Sequence, residues 1–289
     1  MRFHPNIHSG RHLAKAFLGR LEILVSGIRY SSNDLLILNY HGTQKKFISA
    51  FEEQLDHYSR YFQIIPPEAL PDHFKKPEQK GKAKLLLTFD DGIRNNLHAV
   101  EVLDRRNIKA LFFVIPEFID SSDQSAFFRK NIRPVINSHL DAETEDTTAM
   151  SWQNLRDVLH QGHSIGSHTM SHTMTRGMDP AKIEYEIGES RKRIESELKI
   201  SCDLFCSPNN SLVSVGDEEM KSIMQNYSYH FSTLPGVNHG VRPYFLQRIN
   251  VESFWLKGAM LRATGRWDAK RWAERNAAFQ KVCERATGR

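Results

Sequence analysis

Two short runs in the 289-residue sequence carry residue types that can do chemistry. The first is Thr88-Phe89-Asp90-Asp91-Gly92, directly after the apolar Leu85, Leu86 and Leu87. Adjacent carboxylates at a strand end repel each other unless a cation or a proton gives them different roles. Taken alone, the run reads equally as a strand ending in an Asp-Gly turn. The second run, His168-Thr169-Met170-Ser171-His172, follows another short strand and sets two imidazoles four residues apart. On a helical or turning backbone such rings share a face and can share an ion. With 14 histidines in the chain, one such pair by itself is as readily incidental. Together, two histidines and one carboxylate make a ligand set that leaves positions open for water and substrate, as catalytic metal sites do.

The elements that must position these groups alternate along the chain. LLILNYH from Leu35 reads as a buried strand, residues 47–60 as a helix with Phe47, Phe51, Leu55 and Tyr58 on one face, and KLLLTFDDG as a second strand. Residues 94–106 read as a helix, KALFFVI as a strand, residues 151–162 as a helix and HSIGSH as a short strand. Asp179 caps and Pro180 begins a long helix; DLFCSP, YHFST and QRINV read as strands, and residues 217–226 and 267–285 as helices. This order predicts an α/β fold with a mainly parallel sheet or barrel, its reacting groups at the carboxyl ends of the strands. One catalytic domain is expected over residues 34–264, between a basic, amphipathic, helical extension at 1–33 and a basic helix at 265–289. Residues 120–149 lack a clear period and read as a loop, either bordering the substrate groove or a surface excursion.

Composition narrows the class. A hydrophobic fraction of 40% and a charged fraction of 25% are ordinary globular usage. Three cysteines, with Cys202 and Cys206 too far apart along an extended strand to bridge, argue against a disulfide framework. The longest apolar runs fall far short of a membrane span, and the N-terminus has no sustained apolar signal region, so a soluble, cytoplasmic protein is the expectation. The net charge of +5 gathers at the two ends, each carrying +4 over residues 1–30 and 265–289. That pattern speaks against a nucleic-acid binder and leaves open peripheral contact of the basic ends with an anionic membrane.

TFDDG at Thr88 to Gly92 and GHSIGSHTMSH at Gly162 to His172 resemble the first and second motifs of the polysaccharide deacetylases of carbohydrate esterase family four. The nodulation-type and poly-N-acetylglucosamine enzymes are members. The resemblance implies a distorted (β/α) barrel and a metal-dependent hydrolase that removes N-acetyl groups from amino sugars of a polysaccharide or glycan precursor. It further implies Asp90 as general base and Asp91, His168 and His172 on a divalent cation, with zinc foremost among the several that such a set suits. The third motif departs: an Arg-Pro-Pro-Tyr-like stretch aligns with Cys206-Ser207-Pro208-Asn209, so the family's arginine is missing. Arg248, on the late QRINV strand, is the candidate replacement, with an ordinary ion pair as the alternative. The backbone N–H of Asn209 can serve an oxyanion. No Leu-x-x-His motif occurs near the end, so His41, in Asn39-Tyr40-His41-Gly42, is the candidate general acid, and His239 a weaker one. Two other readings stand beside this one. A non-catalytic carbohydrate-binding barrel could keep the metal set. A serine esterase could use Ser164 in Gly162-His163-Ser164-Ile165-Gly166, although this serine falls inside its strand rather than at the end of one.

Overall fold

The computed structural model describes residues 30–75, 80–135, 147–209, 211–240, 242–255 and 269–288. The expected N-terminal amphipathic helix, residues 136–146 of the aperiodic stretch, and Trp267 lie outside these residues.

Among the described residues, nine strands form one sheet: β1 (Asp34–Tyr40), β2 (Gln63–Ile64), β3 (Lys84–Phe89), β4 (Leu111–Val114), β5 (Ser164–Ser167), β6 (Leu204–Cys206), β7 (Tyr229–Phe231), β8 (Asn238–His239) and β9 (Ile249–Asn250). The spatial order is β7-β6-β5-β4-β3-β1-β8, parallel from β7 to β1, with β8 antiparallel on the start of β1. All of β1 and β3 is buried, as expected of parallel strands covered on both faces. Their side chains divide by parity. Leu36, Leu38, Leu85, Leu87 and Phe89 join the larger core, which takes in Phe51 and Leu55 of the helix Ile48–Tyr61 and Val102 of the helix Leu97–Arg105. Leu35, Ile37, Leu86, Leu111, Phe113 and Phe231 make a second, smaller cluster supplied mainly by strands, which fills the concave interior.

The sheet curls, and a late segment spans its two edges. Leu246 forms a parallel bridge with Phe231 of β7, while β9 pairs with Leu38 and Asn39 of β1. Between these contacts the Arg248 N–H donates to the Leu234 carbonyl. QRINV therefore makes only the two-residue strand β9, because the residues before it bond to the opposite edge. YHFST contracts likewise to β7.

Residues 120–135 of the aperiodic stretch hold more regular structure than its lack of period suggests. The helix Pro116–Asp120 runs into it, and the helix Gln124–Phe127 follows, with Asp123 Oδ1 accepting from the Ala126 N–H. A π turn, Phe128–Ile132, buries Phe128 and Ile132 completely. Such short pieces with few apolar anchors show no sustained helical period. A second π turn, Tyr185–Glu189, interrupts the long helix from Pro180 to Leu198. The last helix, Ala269–Thr287, is fixed to the barrel by buried Phe279 and Val282 and by Arg285, which donates to Asp217 at 2.7 Å. No helix among the described residues is long and apolar enough to cross a membrane.

Gly166 in β5 shows how tightly the layers pack. A Cβ there would stand 2.7 Å from two ring carbons of Phe113 and 2.8 Å from the Leu204 carbonyl oxygen, so even a methyl group must move backbone. Gly166→Ala is expected to cost at least about 1–3 kcal/mol. Urea denaturation of the two proteins measures it, and an unchanged midpoint would show that β5 and β6 give way more easily than this packing implies.

Candidate active site

Asp90 and Asp91 follow β3 directly, and His168 follows β5, so all three stand at the carboxyl ends of two strands that flank β4 in the sheet. The chain turns sharply at both places. Asp91 has φ 68°, Thr169 65° and His172 65°, a left-handed conformation that costs energy and is held here by surrounding structure. Gly92, also left-handed at φ 63°, sits where a Cβ would be 3.1 Å from the Val114 side chain. The turn therefore needs glycine for two reasons, conformation and space. The Thr169 hydroxyl accepts from the His172 N–H at 3.0 Å, and Glu186, in the second π turn, accepts from the N–H and hydroxyl of Ser171. A helix-borne carboxylate thus shapes the loop that carries both histidines.

Asp91, His168 and His172 converge. Asp91 Oδ1 is 3.4 Å from His168 Nε2 and 3.3 Å from His172 Nε2. The Nδ1 atoms face carbonyl oxygens, of Cys206 and Asn131 respectively, each at 2.8 Å. A carbonyl can only accept, so both Nδ1 atoms carry hydrogen and both Nε2 atoms of the neutral rings turn a lone pair inward. Among the described residues, neither oxygen of the fully buried Asp91 accepts a well-formed hydrogen bond. A buried carboxylate without donors, facing two imidazole lone pairs, fits a divalent cation. Burial pushes His168 down to about 4, so it is neutral and ready to ligate. Burial pushes His172 down too, but the Asp91 carboxylate outweighs it and raises that ring.

Asp90 is compensated differently. Arg248 reaches in from the closing segment, donating from Nη1 to Oδ1 at 2.7 Å and from Nη2 to Oδ2 at 2.9 Å. Its other N–H groups go to the Ser232 carbonyl (3.1 Å), the Thr88 hydroxyl (3.2 Å) and the Cys206 sulfur (2.7 Å), so all five donors are used. Burial raises Asp90, but the guanidinium outweighs it and holds the carboxyl below the usual range. Burial keeps the Cys206 thiol protonated, so it adds no charge to the pair.

These groups border a cavity of about 280 Å³ lined by Asp90, His168 and His172, with His41, Asn209 and Trp272. His41 follows β1 and is half-buried. Asn209 adopts φ 60° just beyond β6. A family model for polysaccharide deacetylases matches residues 77–231, more than half of the chain and a span containing both carboxylates and both histidines. The chain belongs to the polysaccharide deacetylase family. Relatives of the family agree. The Bacillus subtilis (strain 168) protein named "Putative polysaccharide deacetylase YxkH" is 26% identical over 230 residues, covering 75% of this chain and 71% of that one. The fold matches IcaB from Ammonifex degensii (TM-score 0.62, 19% identity, 81% of this chain and 98% of that one). It also matches the Streptococcus pyogenes deacetylase PplD in complex with acetate (TM-score 0.61, 16% identity, 80% and 96%). The architecture is thus the distorted barrel of polysaccharide deacetylases, and the family establishes a carbohydrate deacetylase.

Two sequence candidates fall elsewhere. His239, in β8, pairs opposite Asp34 and bonds to its carboxylate at 2.7 Å, at the amino end of β1 and far from the carboxyl-end cavity. It is not a general acid for this site. Ser164 opens β5 rather than ending it, and the Nδ1 and Nε2 of neighbouring His163 are engaged by the Ala110 N–H and by Asp104. The nucleophile elbow is absent there. Conversely, the sequence reading missed Glu186, which lies far from both motifs. It also missed Trp272, although the spacing of Trp272, Phe279, Val282 and Ala286 marks one helix face.

Replacing Arg248 by Met leaves the buried Asp90 carboxylate alone, and an expected loss of about 3–5 kcal/mol follows at neutral pH. The sign with pH is fixed by the lowered carboxyl. Its stabilisation is complete above the unfolded value of about 3.9 and lost as pH falls through the folded one. Urea titrations on the chelator-treated proteins should therefore show the gap between wild type and variant narrowing below about pH 4. A gap that stays constant from neutral pH into acid would show that the arginine stabilises by packing alone.

Proposed function

We propose that the chain hydrolyses N-acetyl groups of amino sugars in a polysaccharide or glycan precursor. The observation that carries the reading is the pairing of two unlike buried carboxylates in one cavity, Asp90 held by Arg248 and Asp91 facing two imidazoles. Asp91, His168 and His172 would hold the divalent cation, with zinc favoured by the two-imidazole, one-carboxylate donor set. Such an ion supplies Lewis acidity, polarising an acyl oxygen and acidifying water.

The chain's own groups do the rest. Asp90, kept ionised by Arg248, takes the proton of the attacking water as the new carbon–oxygen bond forms. Its carboxylate is a weak base in the resting protein, so proton uptake belongs to the moment when the water has become acidic. The Asn209 N–H would serve the developing oxyanion, a role that needs no particular side chain and so survives the loss of the family's usual third motif. His41, when protonated, would donate to the departing amine from the same cavity.

The test is acetate release from N-acetylglucosamine oligomers, with metal content measured on the same samples. Asp90→Asn should lower kcat by about 10²- to 10⁴-fold while keeping the ion. Asp91→Ala and His172→Ala should lose ion and activity together. A metal-loaded wild-type chain that binds these oligomers but releases no acetate would instead establish the carbohydrate-binding reading.

A further inference from the structure

The Pro208–Asn209 peptide follows β6 and carries the N–H that the reading above gives to the oxyanion, and one buried hydroxyl grips it from behind. We propose that Ser214 is a positioning residue for this peptide, its hydroxyl aiming the Asn209 N–H into the cavity. The proposal rests on the deacetylase reading and adds to it a residue that would touch neither substrate nor metal.

The Ser214 hydroxyl donates to the Pro208 carbonyl at 2.5 Å. A carbonyl only accepts, so the direction of this bond is fixed, and for a proline the carbonyl is the one main-chain group that can bond at all. The described residues contain no cis peptide, and in a planar trans unit the C=O and the following N–H point in opposite directions. With its carbonyl drawn toward the fully buried Ser214, the unit turns the Asn209 N–H the other way. Asn209 lines the cavity that holds Asp90 and both histidines, and among the described residues nothing accepts from its N–H. A hydrogen bond to the carbonyl also polarises the amide, which makes that N–H a stronger donor.

This bond is not one that a helix supplies. Ser214 ends the helix Ser211–Ser214 and reaches six residues back, past the helix's first residue, whereas a hydroxyl satisfied within its own helix bonds three or four back. Ser214 is also held from the other side. Its carbonyl accepts from the Thr175 hydroxyl at 3.0 Å, and Thr175 stands three residues after His172, so one residue joins the histidine loop to the peptide. Asn209 itself holds φ 60°, a conformation that costs a non-glycine residue energy and needs such support. The flanks are fixed independently. Ser207 Oγ and Ser211 Oγ lie 3.0 Å apart, and Ser211 Oγ accepts from the Thr233 N–H at 3.0 Å, which leaves the plane of the Pro208–Asn209 unit as the part that depends on Ser214.

The experiment uses the full chain, metal-loaded, with N-acetylglucosamine oligomers as substrate. Ser214→Ala should lower kcat about tenfold and leave KM within about twofold, because an oxyanion donor acts on the transition state more than on the bound amide. Bound metal should be unchanged, since the Ser214 carbonyl that Thr175 holds is still present. A methylphosphonate analogue of the N-acetyl group, whose tetrahedral anion stands in for the intermediate, should lose affinity by a factor that matches the fall in kcat/KM. Ser214→Thr keeps the hydroxyl and should restore both. The orientation is also read without turnover or metal. In 1H–15N spectra of the chelator-treated chain, the Asn209 amide should move in Ser214→Ala and stay near its wild-type position in Ser214→Thr. A folded Ser214→Ala chain with kcat within about twofold of wild type, or with the Asn209 amide unmoved, overturns the proposal. Loss of the metal in Ser214→Ala, or a Ser214→Thr chain no faster than Ser214→Ala, overturns it too, since the side chain would then serve the fold at large. If wild type releases no acetate, the deacetylase reading fails by itself. The grip on the peptide is then decided by the Asn209 amide alone, and a resonance indifferent to Ser214→Ala refutes it.

Discussion

Two carboxylates buried side by side, with Asp90 at 1% and Asp91 at 0% exposure, are the constraint from which the rest of the structure follows. Neither can keep its charge in a low-dielectric interior without a counter-charge, and one counter-charge shared between them would leave the pair chemically equivalent. The fold separates their surroundings instead. The left-handed turn at Asp91 rotates that side chain toward His168 and His172, while Asp90 continues the line of β3 toward Arg248. The strained backbone after β3 and after β5, the glycine at position 92 and the carboxylate of Glu186 all serve this division, because each fixes a turn that aims one of these groups.

Much of this was legible in the sequence, for a reason that can be named. The parallel strands are continuous apolar runs such as LLIL and LLL, and the chemistry sits on short contiguous motifs at their ends, so pattern and site coincide. Arg248 could be singled out because the third-motif resemblance lacks its arginine and a basic residue stands in the late QRINV run. What the sequence hides are relations across long separations. Nothing in YEIGE announces that Glu186 leaves the helix line through a π turn to bind Ser171, and nothing in RKNIR announces that the Asn131 carbonyl orients His172. The helical pieces from Pro116 to Ile132 escaped for a simpler reason: each is five residues or fewer, below the length at which a period can be counted.

The third motif departs from the family pattern, and Asp90 meets an arginine from another part of the chain. Where the family's arginine is expected, this chain has Cys206, whose neutral sulfur now receives one N–H of the arginine that arrives from elsewhere. A guanidinium needs only to meet the carboxylate in the right plane, and the direction of its approach is free. Cys206 and Phe113 belong to the smaller core cluster, and the Arg248 guanidinium lies 5.5 Å from the Phe113 ring centroid.

Arg248 lies on the segment that joins β7 to β1, so sealing the barrel and neutralising Asp90 are one event. During synthesis the two partners emerge 158 residues apart. For that whole interval Asp90 has no arginine, and its carboxylate must remain solvated or take up a proton. The strands from β1 to β7 can assemble in the meantime, but until the late segment docks their concave face either stays wet around Asp90 or holds it protonated. A ribosome-bound chain would accordingly hold a complete metal-ligand triad well before it holds a dry interior, and a cation captured early would find its site open to water.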